Sequence, residues 1–336
     1  TGVFREAGGS VTNTATGMSS GGGPRGPGVE ISGGSGVVIN EGTISGSGSG
    51  DGVSLDVGGS VTNNGTISGG SGVYINSGSV TNEVGGSISG AVNGVETGAG
   101  PVTVTNEGTI SGGADSVLFG SGSTDNVLAI APDAVFDGAA DATAATNSAI
   151  ELLKGTGAIA GIGNGDFLGF SSLVADDGAN WTLKGANTIG TVLDDGKLDV
   201  TGALTVSTAV DPTSTGAFVL DHGSTLEVAA ALGADSTMSF HPGSELLVND
   251  FALFGQNVGT SNYAGSLLEH FGGSTVDLKD FGIAGLHDAF SASTGLLQLT
   301  NSASQMATLD FQTSSLGAGA FHFNSDGSGG VLVTHS

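Results

Sequence analysis

The chain has 336 residues, 64 of them Gly, and only 11% are charged. Its 32 Asp and Glu against 6 Lys and Arg leave a formal charge of −26, which excludes cation-driven binding to nucleic acid and to anionic membrane surfaces. A hydrophobic share of 38% is too high for a disordered chain, and no apolar run reaches membrane-spanning length.

No stretch repeats apolar residues at helical spacing, and Gly, Ser, Thr, Val and Asn dominate, so an all-β strand-and-turn repeat is predicted. There is no Cys, which fits a chain exported unfolded across an outer membrane. The sequence starts at Thr1 without a basic and apolar leader, so no signal peptide is expected in it.

The first third carries a repeat. Val38-Ile-Asn-Glu-Gly-Thr-Ile-Ser-Gly46 recurs as Val61-Thr-Asn-Asn-Gly-Thr-Ile-Ser-Gly69 and Val104-Thr-Asn-Glu-Gly-Thr-Ile-Ser-Gly112. A looser copy starts at Val80 and a degenerate one at Val11. The uneven spacing of these starts suits a solenoid, whose coils keep their strands and vary their turns. Each repeat has an earlier strand as well: Val29-Glu-Ile31, Val53-Ser-Leu55, Val73-Tyr-Ile75 and Val92 to Val95. One coil therefore reads as three short strands, with Val73, Ile75, Val80 and one Ile per coil inside and Thr, Ser and Glu outside. Asn40, Asn63, Asn82 and Asn106, with Asn13 before them, share one repeat position. Stacked coils would bring their amides into a ladder; the plainer reading is that each Asn adopts a left-handed turn.

The composition changes near residue 119. Phe4 is the only Phe before Phe119, and thirteen of the 15 lie beyond it. Gly196-Lys-Leu-Asp-Val200, Gly223-Ser-Thr-Leu-Glu-Val228, Gly243-Ser-Glu-Leu-Leu-Val248 and Gly273-Ser-Thr-Val-Asp-Leu278 read as copies of a second phrase, each a turn leading into an alternating strand. These coils should hold a fatter core of Leu and Phe. Asn180-Trp-Thr-Leu-Lys-Gly-Ala-Asn-Thr-Ile-Gly190, followed by Asp195-Gly-Lys-Leu-Asp-Val200, resembles the autotransporter-associated β-strand repeat. In that family a Trp-Thr-Leu strand precedes Gly-Ala-Asn-Thr, a short link and a Gly-x-Leu-x-Val strand. The resemblance implies export to the cell exterior and a parallel β-helix. No translocator barrel is expected after Ser336, so the chain would be passenger material.

The last stretch contains the alternating segments Gly295–Thr300, Met306–Phe311, Ala320–Phe323 and Val331–Thr334. They predict an antiparallel meander that covers the end of the solenoid. The predicted fold class is thus all-β, a right-handed parallel β-helix with a short antiparallel C-terminal meander. The predicted domains are 1–126, 127–285 and 286–336.

Motifs for chemistry are thin. Gly17-Met-Ser-Ser-Gly21 matches a nucleophile elbow by letters, without its strand-to-helix context. Lyases of uronates need clustered cations, whereas Arg5, Arg25, Lys154, Lys184, Lys197 and Lys279 are scattered. The pairs Asp176-Asp177 and Asp194-Asp195 lie in turn-like contexts, where solvated Asp is expected. The His residues show no short metal-ligand spacing. Gly120-Ser-Gly-Ser-Thr-Asp125 half-matches a calcium-binding nonapeptide, and Glu83 and Glu107 would stack on consecutive coils. A weakly bound Ca2+ is the one cofactor considered, and no catalytic or metal residue is assigned.

These features predict a non-catalytic, extracellular or cell-surface solenoid: an adhesin stalk, matrix component or fibre subunit. The alternative is a carbohydrate-binding or carbohydrate-cleaving β-helix. The first coil follows Thr1 almost at once and has no polar cap, so preceding coils or another subunit should cover it. Head-to-tail self-association, and a host or matrix polysaccharide, are the expected partners.

Overall fold

The computed structural model describes residues 2–231 and 235–336. Among these the only helical elements are a 3-10 turn, Phe251–Leu253, and a single α-turn, Thr313–Leu316. The rest of the regular structure is β, in stacked parallel coils, with antiparallel strands at the C-terminus. The fold is the predicted β-solenoid. The chain divides into two compact units, Thr1–Leu153 with Ile162–Ser171, and Lys154–Gly161 with Ser172–Ser336.

In the first unit a coil has three short strands, such as Val53–Leu55, Gly59–Asn63 and Thr66–Gly69. Each pairs in parallel with its counterpart one coil on. Alternation fixes which side chains point inward. Val29, Val53, Val73, Val95 and Val117 form one fully buried column, with Val95 and Val117 paired in register. Val38, Val61, Val80 and Val104 form a second, and Ile44, Ile67, Ile88 and Ile110 a third. The strand after Gly90 begins at Asn93 and presents Val95 to the core, while Val92 is exposed. The Gly content has a steric reason. At Gly59 φ is +139°, and a Cβ would stand 1.8 Å from the Gly36 carbonyl oxygen of the neighbouring coil.

In the second unit each coil supplies strands to two sheets. One sheet stacks Gly155–Ala160, Ala179–Lys184, Lys197–Val200, Ala217–Leu220, Thr237–Phe240 and Leu267–Glu269. The other stacks Ser172–Ala175, Ala186–Asp194, Ala203–Val210, Thr225–Val228, Glu245–Val248 and Thr275–Leu278. The four phrases read as one repeat therefore fall into two columns. Lys197–Val200 pairs with Ala217–Leu220, whereas the other three pair among themselves on the opposite sheet. Both strands of a coil follow a turn and alternate alike, so pattern alone does not separate them.

The core of this unit is a column of Gly157, Trp181, Leu198, Phe218, Met238 and Leu268. Trp181 is buried, and the absence of a side chain at Gly157 makes room for it: a Cβ there would lie 2.8 Å from the indole.

The C-terminal strands split into two groups, one on each sheet. Met306–Phe311 runs parallel beside Leu267–Glu269, and Leu296–Thr300 and His287–Phe290 follow it antiparallel. Val331–His335 lies antiparallel on Thr275–Leu278 and carries Phe321–Ser325 outside it. Both sheets of the last coil are thus covered. Phe240, Phe271, Phe311 and Phe321 make successive ring contacts at 5.4, 4.8 and 4.9 Å from the coils into these strands.

Candidate functional site

The strands Gly36–Asn40, Gly59–Asn63, Gly78–Asn82 and Val102–Asn106 are in register. Asn40, Asn63, Asn82 and Asn106 consequently stand one above another, fully buried. The Nδ2 of Asn40 donates to Asn63 Oδ1 at 2.8 Å, Asn63 to Asn82 at 2.8 Å, and Asn82 to Asn106 at 2.9 Å. Asn13 extends the column, donating to Asn40 Oδ1 at 2.8 Å. Each amide also serves its turn. Asn63 Nδ2 reaches the Gly65 carbonyl at 3.1 Å and the Ser87 carbonyl of the next coil at 3.2 Å, while Asn63 Oδ1 accepts from Gly65 N–H at 3.3 Å. Bends that would otherwise bury unpaired backbone groups are satisfied in this way. The next position in the column is Ile130, and Asn106 Nδ2 donates instead to the Val135 carbonyl at 3.1 Å.

At the other end lies the first coil, made of Val3–Arg5, Gly9–Asn13 and Met18–Ser20. Each of these strands is paired on one side only among the described residues. Phe4 and Met18 here are 56% and 83% exposed. Ser19, the central Ser of the elbow-like letters, is buried in the strand and its hydroxyl donates to the Gly28 carbonyl at 2.8 Å.

One face of the first unit is acidic. Glu30, Ser54, Tyr74 and Glu96 are register neighbours, with Asp51 and Asp56 beside them. Burial, then Asp56 and Asp51, raise the Glu30 carboxyl above its ordinary range. Burial raises Asp51 as well, the Ser71 N–H opposing it and Glu96 and Asp56 adding to it. Glu83 and Glu107 directly follow the register partners Asn82 and Asn106.

Asp194, expected in water, is buried. Inward positions of Ala186–Asp194 end on it. Its Oδ1 accepts from Gly196 N–H at 3.0 Å, and its Oδ2 has no partner among the described residues. Burial lifts this carboxyl to about 7, against the opposing Gly196 bond and with help from Asp195.

A second polar cluster was not legible from linear spacing. Asp221-His-Gly-Ser224 and His241-Pro-Gly-Ser244 are tight turns on consecutive coils, closed by Ser224 N–H to Asp221 O at 3.0 Å and Ser244 N–H to His241 O at 3.1 Å. Gly223 and Gly243 take φ of +72° and +84°, as the third residue of a type II turn requires. Stacking the turns puts His241 Nδ1 3.0 Å from Asp221 Oδ1 and the His222 and His241 rings 5.4 Å apart at 24°. His222 Nδ1 lies 2.9 Å from the Pro242 carbonyl oxygen. The His222 N–H, and then His241, hold the Asp221 carboxyl below its ordinary range. Asp221 and His241 also wall a groove of about 380 Å3, together with Thr182, Lys197, Asp199, Thr201 and Val219. In it Lys197 Nζ pairs with Asp199 Oδ1 at 2.7 Å.

No protein-family model matches the chain, and no curated protein matches it. No helix among the described residues is long and apolar enough to cross a membrane.

Proposed function

We propose that the chain is a structural or adhesive solenoid of the bacterial exterior, akin to an autotransporter passenger, and that it works by end-to-end stacking rather than by catalysis. The observation that carries this reading is the first coil. Three strands there are paired on one side only among the described residues, with Phe4 and Met18 exposed beside them. Such an edge is a template for further strands. The Asn column also reaches this coil, because Asn13 donates inward to Asn40. Preceding coils of a longer chain would cover it, or the C-terminal region of a second copy. There a cavity of about 380 Å3 is lined by apolar Phe290, Leu316 and Phe321, with Thr313 and His335. A head-to-tail contact of this kind whose rotation does not close propagates into a filament. Electron microscopy of the purified full chain tests it: filaments or strings of particles are expected, and uniformly single particles at high concentration contradict it.

One observation favours the second reading, carbohydrate binding. The groove of Thr182, Lys197, Asp199, Thr201, Asp221 and His241 offers hydroxyl, ammonium and carboxylate groups to a polyol. Binding of an oligosaccharide that Asp199→Ala abolishes would support it. Unchanged binding in that variant would argue against it.

A further inference from the structure

The structure assigns a binding site for a divalent first-row transition metal such as Zn2+ to the stacked turns, with His222, His241 and Asp221 as its donors. This inference rests on neither functional reading above.

Three features of the turns point to an ion. First, one donor atom of each residue lies within 4.8 Å of the other two, a cluster that small side-chain rotations would contract around an ion. Second, the His222 hydrogen bond prepares that ligand, while the His241 Nδ1–Asp221 Oδ1 contact at 3.0 Å would give way to the ion. The Pro242 carbonyl can only accept, so His222 Nδ1 carries the proton and Nε2 keeps its lone pair. Metal-bound imidazoles have this arrangement, with the far N–H given to a carbonyl or carboxylate. Third, the donor set is selective. Two imidazoles and one carboxylate suit Zn2+, Co2+, Ni2+ or Cu2+, whereas Ca2+ and Mg2+ take oxygen ligands. The backbone is also held firmly. Both turns are closed by their own hydrogen bonds, and His241 N–H donates to the Leu220 carbonyl of the preceding coil at 2.9 Å. An ion held there stands at the edge of the groove that Asp221 and His241 help to line. Its coordination positions not taken by the protein would be filled by water or by a ligand in that groove.

The test is a titration of the untagged full chain with Co2+, followed by absorption, and with Zn2+, followed by calorimetry. One saturable equivalent is expected. His222→Ala and His241→Ala should each weaken binding by about tenfold or more, and the double variant should abolish it with the circular dichroism spectrum unchanged. A second readout needs no variant: in the unaltered chain, Co2+ should broaden the ring signals of two of the six His residues, His222 and His241. Absence of saturable binding, equal affinity in the double variant, or broadening centred on other His residues would overturn the assignment.

Discussion

At the scale of single residues, the buried polar groups decide more than their number suggests. Asn63 accepts from Asn40 on one side and donates to Asn82 on the other, so Asn63→Ala leaves buried amide groups short of a partner and should cost about 1–2 kcal/mol. Ile67→Asp places an unpaired carboxylate among Ile44 and Ile88 and should cost several kcal/mol. Equal midpoints for both in a denaturant titration would contradict the packing. Gly157→Ala should destabilise by about 1–3 kcal/mol, because its methyl meets the Trp181 ring at 2.8 Å; a stability equal to wild type would mean that the indole can shift freely.

Asp194 adds a pH dependence. Its folded-state value of about 7 lies above the ordinary 3.8, so the folded protein binds that proton more tightly than the unfolded chain. The stability it favours is present below about pH 4 and is lost as pH rises to about 7, by at most about 4 kcal/mol. Asp194→Asn should therefore stabilise the protein at pH 8 and have little effect at pH 4. A pH-independent difference between the two proteins would contradict this.

At the scale of elements, the stacking register makes a direct prediction in a chain without Cys. Thr62 and Thr81 are register partners on consecutive coils. Neighbouring strands lie about 4.8 Å apart, inside the range a disulfide spans. Thr62→Cys with Thr81→Cys should close a disulfide within one chain on mild oxidation. Thr62→Cys with Thr105→Cys, two coils apart, should not, and mass spectrometry reads both.

Legibility differs between the units for related reasons. The Asn position and the three strands of each early coil could be read from the chain because one phrase carries them at every turn. In the second unit two strands per coil share the same turn-then-alternate pattern, so the pattern places Lys197–Val200 in the wrong column. Asp221, His222 and His241 meet only through stacking, since local ligand spacing does not look across a coil. The signal available is the shared Gly-Ser turn, preceded by Asp221-His222 in one copy and by His241-Pro242 in the other. The burial of Asp194 is not legible because a turn-like pair of Asp residues does not show which one ends an inward-facing strand.

At the scale of the whole molecule, a formal charge of −26 opposes any association of like copies. Salt screens this repulsion within about 8 Å at physiological ionic strength, so end-to-end stacking should strengthen with salt, the reverse of an ion-paired interface. The proposed contact is apolar, made of strand edge and the exposed Phe4 and Met18 side chains. The most direct measurement is sedimentation velocity over a concentration series, in low and physiological salt, on the full chain and on a Phe4→Lys, Met18→Lys variant. The account predicts species that grow with concentration and salt in the wild type and a single small species in the variant. Identical sedimentation of the two proteins under every condition would contradict it.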